Sequence, residues 1–154
     1  MFGYVVSLFG HREIENLREL EAKLERILSD IIKENDFVTF LIGRNGDFDE
    51  CAASCIKRIQ RRVGSDRCEL VLVIPYIMAN VEYYEKYYDS VIVPDKIYKA
   101  HPKGAISKRN KWMVSHSNEV LVFVKRDKGG AYNSYRFAVK SEKKVTNLHE
   151  DFST

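Results

Sequence analysis

Three glycine-bearing turns and one basic segment hold the side chains best suited to chemistry in this 154-residue sequence. Gly10-His11-Arg12 joins a glycine to two potential cations, and Gly43-Arg44-Asn45-Gly46 runs straight into Asp47, Asp49 and Glu50. Further on, Arg109-Asn110 precedes Gly129-Gly130, with Asn133 and Ser134 just beyond. Glycines let a ligand approach the backbone, and the free N–H groups of a helix that starts there favour an anion. A guanidinium such as that of Arg109 can hold two phosphate oxygens at once. The carboxylates suit ribose hydroxyls or acid/base work. They equally suit helix capping, with Asp47 as N-cap and Glu50 in the capping-box position three residues on.

Two familiar phosphate loops are excluded by spacing. Gly43-x-x-Gly46 lacks the Gly-x-Gly-x-x-Gly pattern of dinucleotide folds, and no Gly-Lys-Ser/Thr follows to make a Walker loop.

Net charge is only +3, but its placement is uneven. Lys96, Lys99, Lys103, Lys108, Arg109 and Lys111 follow one another with no acid between them, and Lys125, Arg126 and Lys128 come soon after. Such a run either is a solvated face or attracts an anion. His101, inside the first run, is read as a loop histidine within reach of a phosphate or as one with no task.

The elements that would position these groups alternate in type. Tyr4–Phe9, Phe37–Ile42, Leu70–Ile74, Ser90–Val93 and Val120–Val124 are short apolar runs, with a last short strand near Lys144–Leu148. Continuous apolarity, without in-out alternation, suits strands covered on both faces. Ile14, Leu17, Leu20, Leu24, Ile27, Leu28 and Ile31 repeat at helical spacing, as do Phe48, Ala52, Cys55, Ile56, Ile59 and Val63. Ser107 to Ser117 and Tyr132 to Lys140 are further helix candidates, and Val81 to Tyr88 a shorter one. The alternation predicts one α/β Rossmann-like three-layer domain over residues 1–154, with a mostly parallel sheet of five to six strands. Ligands of such sheets bind beyond the carboxyl ends of the strands, where strand order reverses. The loops after the strands are therefore where function is expected.

Composition narrows the class. With 45% hydrophobic and 31% charged residues the chain is globular, and no apolar run approaches the roughly 20 residues of a membrane span. The N-terminal residues have no cationic lead-in or cleavage signal, so a cytoplasmic location is expected. Cys51, Cys55 and Cys68 lack zinc-type spacing and read as small, buried or half-buried thiols, with no metal or cofactor implied. Tyr83, Tyr84, Tyr87 and Tyr88 at helical spacing suit packing before base stacking.

Taken in order, Gly10-His11-Arg12, Gly43-x-x-Gly46-Asp47-Phe48-Asp49, Ile106 to Val114 and Gly129-Gly130-Ala131-Tyr132-Asn133-Ser134 resemble the SLOG superfamily of Rossmann-like domains. That superfamily unites LOG-type and DNA-processing-protein-type members, and the small bacterial YpsA-like members look closest. The resemblance implies a nucleotide or nucleotide-derived ligand held by its phosphate at Gly129-Gly130, and a homodimer. Arg109-Asn110-x-x-Met113 is similar to the Arg-Lys-x-x-Met helix of LOG-type phosphoribohydrolases, which marks Arg109 as the leading functional residue. The Pro-Gly-Gly-x-Gly-Thr-x-x-Glu loop of that family is only partly matched: Tyr132, Asn133 and Arg136 stand at its later glycine, threonine and glutamate positions.

The expected ligand-binding set is Gly10, His11, Arg12, Gly43, Gly46, Asp47, Arg109, Asn110, Gly129, Gly130, Asn133 and Ser134. Because Arg136 cannot supply a carboxylate, N-glycosidic cleavage of a nucleoside monophosphate would need Glu50, Asp49 or Asp47 from the neighbouring loop, with Glu50 and Asp47 taken as the catalytic candidates. Three readings stay open: a nucleotide-ligand binding or sensing domain, a glycosidic-bond hydrolase or transferase, and a single-stranded nucleic-acid binder. Tyr98, Trp112 and Tyr132 among the cations motivate the third.

Overall fold

Residues 3–77, 80–94 and 102–149 are described by the computed structural model. Asp95, Lys96, Tyr98, Lys99 and His101 lie outside the described residues. Six strands are present: β1 (Tyr4–Gly10), β2 (Val38–Ile42), β3 (Cys68–Val73), β4 (Ser90–Ile92), β5 (Glu119–Phe123) and β6 (Lys144–Asn147). Between them run α1 (Leu17–Glu34), α2 (Asp47–Val63), α3 (Val81–Glu85), α4 (Pro102–Ser115) and α5 (Gly130–Lys140).

The strands form one sheet in the order β4-β3-β2-β1-β5-β6, and every pairing is parallel. The sequence-predicted architecture is thus the observed one. Apolar runs are continuous because alternate residues serve opposite layers. Val6 and Leu8 of β1 join the cluster with Leu20, Leu24 and Leu28 of α1 and Phe48, Ile56 and Ile59 of α2. Their neighbours Val5 and Phe9 join the other cluster, with Met113 and Val114 of α4 and Ala138 of α5. Side chains of a strand point alternately to the two faces, so helices on both sides demand apolarity at every position.

Strand order reverses between β1 and β5, where Gly10 pairs with Phe123. The turns after β1, β2 and β5 therefore open at one rim beside this switch point.

Several helix starts differ from the sequence reading. α1 begins at Leu17, capped by the Asn16 side chain, which accepts from the Glu19 N–H at 3.3 Å. Ile14 stays buried ahead of it. Asp47 is the first residue of α2, and Gly46 is the N-cap, without a side-chain hydrogen bond. The capping box is thus not formed: the Asp47 carboxylate is committed to another strand loop, accepting from the Ile14 N–H at 3.0 Å. α4 begins at Pro102, a residue pre-set for a first helical position, and α5 takes in Gly130 and Ala131. α3 stops at Glu85, short of Tyr87 and Tyr88.

Candidate functional site

At the switch point lies a cavity of about 380 Å³. Its walls include Gly10, His11 and Arg12 after β1; Gly43, Asn45 and Asp49 after β2; Ile106, Arg109 and Asn110 of α4; and Arg126, Lys128, Gly129 and Gly130 after β5. Four segments far apart in sequence thus meet at one rim.

Arg109 dominates the floor. It is only 3% exposed, and its guanidinium is held by neutral oxygens on three sides. Nη1 donates to the Val73 carbonyl at 2.9 Å and Nε donates to Asn110 Oδ1 at 2.7 Å. With the Asn45 amide oriented as its neighbours require, Asn45 Oδ1 accepts from Nη2 at 2.9 Å while its nitrogen donates to the Arg44 carbonyl at 3.1 Å. No carboxylate among the described residues forms an ion pair with this guanidinium. Burial lowers its pKa from the ordinary value, opposed by the negative charge of Asp49. A buried cation without a contacting counter-ion has lost its hydration and gains most from an arriving anion.

Asp49 is the carboxylate that lines the cavity. It is nearly buried, Oδ2 accepts from the Asn45 N–H at 2.9 Å, and desolvation raises its pKa to about 6. The same Asn45 therefore links Asp49 to Arg109. Of the three carboxylates the sequence offers here, the two taken as catalytic candidates, Glu50 and Asp47, stand elsewhere. Glu50 is exposed and absent from the cavity wall, and Asp47 is spent on Ile14. One residue along a helix turns a side chain by about 100°, which separates Asp49 from Glu50.

His11 bridges two loops. Its Nε2 accepts from the Lys125 N–H at 3.0 Å, which fixes a neutral ring with the proton on Nδ1. Burial lowers its pKa, helped by the charges of Arg126 and Lys125. Arg12 is exposed at the rim, and its carbonyl accepts from the Asp47 N–H at 2.8 Å, drawing the first and second loops together. Gly46 faces that contact: it has φ +146°, and a Cβ there would lie 2.6 Å from Arg12 Cα. Gly46 shapes the site without lining it.

The start of α5 completes the cavity. Gly129 is its N-cap at φ +98°, and no side chain caps the helix. The first helical bond runs from Asn133 N–H to the Gly129 carbonyl at 3.0 Å, so the preceding amides have no intrahelical partner. A Cβ at Gly129 would meet nothing within 4 Å, leaving backbone open to a ligand. Ser134 is buried with its hydroxyl turned to the Gly130 carbonyl at 2.9 Å, and Asn133 is exposed. Both border a neighbouring depression, outside the main cavity. Arg136 is exposed and lies over the Tyr132 ring at 5.9 Å. Asn45, Asp49, Arg126 and Lys128 were absent from the expected set. Their signal was available in the charge run after β5 and in the position of Asp49 on the apolar stripe of α2.

No family model and no curated protein sequence matches the chain. Solved structures do. DNA processing protein A from Helicobacter pylori superposes with a TM-score of 0.62 at 16% identity, over 94% of this chain and 64% of that one. DNA processing protein A from Streptococcus pneumoniae gives 0.54 at 12% identity, over 97% of this chain and 60% of that one. Both are proteins of the DNA-processing type that the sequence resemblance names. The likeness is one of fold, and this chain spans less than two thirds of either protein. Among the described residues no helix is long and apolar enough to cross a membrane, and no three metal-ligating side chains cluster.

Proposed function

We propose that the protein binds the phosphate of a nucleotide or nucleotide-derived ligand in the switch-point cavity. The observation that carries this reading is Arg109: a buried guanidinium bonded only to neutral oxygens, in the wall of the same cavity as the uncapped start of α5. Arg126 and Lys128 stand exposed at the same rim and add attraction at longer range. The cavity is at the small end of the roughly 300–1,000 Å³ typical of ligand sites. Gly129 and Gly130 offer amides to the phosphate, Arg109 balances its charge, and Asp49 accepts from ribose or base donors. Gly43 leaves room on the floor for the Arg109 guanidinium, Gly10 lets Phe48 of α2 dock behind it, and His11 holds the β1 and β5 loops in register.

Calorimetry with orthophosphate and nucleoside monophosphates tests the reading. Binding is expected, and Arg109→Ala should weaken it at least tenfold, about the 1.5–3 kcal/mol of a charge-assisted hydrogen bond. No binding by any phosphate compound would end the proposal. A cytoplasmic location goes with a nucleotide ligand and free thiols. The homodimer rests on the SLOG resemblance, and sedimentation velocity tests it.

A second reading is single-stranded nucleic-acid binding, which the Helicobacter pylori neighbour is described as performing. It predicts oligonucleotide binding that falls steeply as salt rises, since each phosphate contact releases counterions. Glycosidic cleavage, if present, would fall to Asp49, and release of free base abolished by Asp49→Asn would show it.

A further inference from the structure

The switch-point cavity does not stand alone. On the β3 side it adjoins a depression of about 200 Å³ walled by Arg44, Leu72, Ile74, Pro75, Tyr76 and Tyr84. On the α5 side it adjoins one of about 300 Å³ walled by Ser107, Lys111, Asn133, Ser134 and Phe137. Asn45 and Arg109 are shared with the first, Asn110 and Gly130 with the second. Ile106 borders all three and is 38% exposed, an apolar side chain left open where the depressions meet.

The three parts differ in chemistry. The centre has the buried cation and the uncapped helix start. Each wing pairs an aromatic ring with a cation: Arg44 lies 4.9 Å over Tyr84, and Lys111 lies 5.6 Å over Phe137. Tyr84 itself is buried beneath Arg44, so the stacking surface of the first wing is supplied by Tyr76, 49% exposed, and by the exposed Arg44. Aromatic side chains beside cations accept flat heterocycles by stacking. A nucleoside monophosphate would occupy the centre and one wing, leaving the other wing and part of Ile106 wet.

We propose that the ligand of this groove is a dinucleotide: two nucleoside heads joined through a central phosphate or pyrophosphate. The phosphate bridge lies over Arg109 and the start of α5, one base lies in the Tyr76–Tyr84 wing, and the other lies in the Lys111–Phe137 wing. The sugars flank Ile106. This rests on the anion reading above and extends it by giving each wing an occupant.

The test is a matched series on the full chain: orthophosphate, adenosine monophosphate, a 3′,5′-linked diadenosine, a pyrophosphate-linked diadenosine and a ten-nucleotide adenine strand. The better of the two diadenosines should bind at least tenfold more tightly than the monophosphate, and which one wins gives the bridge. Tyr76→Ala and Lys111→Ala, both at exposed positions, should each weaken that diadenosine about five- to tenfold, while the monophosphate responds to at most one of them. Equal affinity for monophosphate and diadenosine, or silence of either variant, overturns the two-headed ligand but leaves the anion site standing. Failure of every phosphate compound overturns both. Tighter binding of the ten-nucleotide strand with a steep salt dependence replaces the dinucleotide with a nucleic acid.

Discussion

The Cα of Gly43 faces the Arg109 guanidinium so closely that a Cβ built there would lie 2.9 Å from Nη1 and 3.2 Å from Cζ. The end of β2 is therefore bare so that an α4 side chain can lie across it and reach the Val73 carbonyl on β3. The atoms in the way are the far end of a flexible side chain, so Gly43→Ala should leave the fold intact. Mild overpacking costs typically 1–3 kcal/mol, and the lower end is expected here. The displaced guanidinium should lose about tenfold in phosphate affinity, measured by calorimetry alongside urea denaturation.

Gly10→Ala should behave in the opposite way. A Cβ at Gly10 would overlap the ring of Phe48, which is fully buried between α2 and the sheet. A core ring has nowhere to go, so stability should fall by about 3 kcal/mol, the upper end for overpacking. Two glycines at one rim thus differ: one keeps the site open, the other lets the helix dock. Denaturation midpoints that fall equally for both variants would contradict this division.

Asp49 makes stability depend on pH. Burial holds its folded pKa at about 6, above the roughly 3.9 of an unfolded aspartate, so the folded state binds the proton more tightly. Stability from this group therefore falls as pH rises from about 4 to about 6, and the cost persists above that. Asp49→Asn keeps an oxygen to accept from Asn45 N–H and removes the charge. It should raise stability by about 2–3 kcal/mol at pH 8, with the gain vanishing below pH ~4, given about 1.4 kcal/mol per pKa unit. At pH 8, where the phosphate is dianionic in both proteins, Asp49→Asn should also bind it more tightly than wild type does, because the neutral amide no longer repels the anion.

His11 titrates with the opposite sign. Its folded pKa lies below the ordinary value, since burial and the nearby Arg126 and Lys125 disfavour the charged ring. The bond from Lys125 N–H to Nε2 exists only for the neutral ring. Its contribution is present above the unfolded pKa of about 6.5 and is lost as pH falls through the folded value. Nitrogen-edited NMR should show an Nδ1-protonated neutral ring persisting below pH 6.5. An Nε2-protonated tautomer, or an ordinary titration, would remove His11 as the strut between the loops.

Much of the fold was legible because two-sided burial leaves an unmistakable trace: Val38, Phe40, Leu41 and Ile42 are all apolar because helices cover both faces. The parallel sheet and its rim followed. The site was legible less evenly. Gly10, Gly43, Arg109 and Gly130 announce themselves by type and by position after strands or in the basic segment. The carboxylate did not, because choosing among Asp47, Asp49 and Glu50 requires the phase of the first helical turn. That phase was recoverable, since Asp49 has Ala52 and Ala53 of the buried stripe three and four residues on, while Glu50 has Ala53 and the exposed Ser54. One of the three oxygens that hold Arg109 could not be read: the Val73 carbonyl lies 36 residues away, and carbonyls have no sequence signature.

The two thiols on α2 should differ in reactivity. Cys51 is half-buried, Cys55 and Cys68 are buried, and all three are free. Cys51 and Cys55 share a helix face, and the Cys55 thiol reaches the Glu21 carbonyl at 3.8 Å and accepts from Arg58 at 3.3 Å; the closeness of the two thiols lowers the Cys51 pKa and raises that of Cys55. Burial pushes Cys68 up to about 11. Since the thiolate is the reactive form, the folded protein should consume one equivalent of an aromatic disulfide reagent quickly at pH 7.5, and all three thiols should react only after unfolding. Cys51→Ser should abolish the fast equivalent. If the fast equivalent instead survives Cys51→Ser, Cys51 is not the thiol whose pKa is lowered.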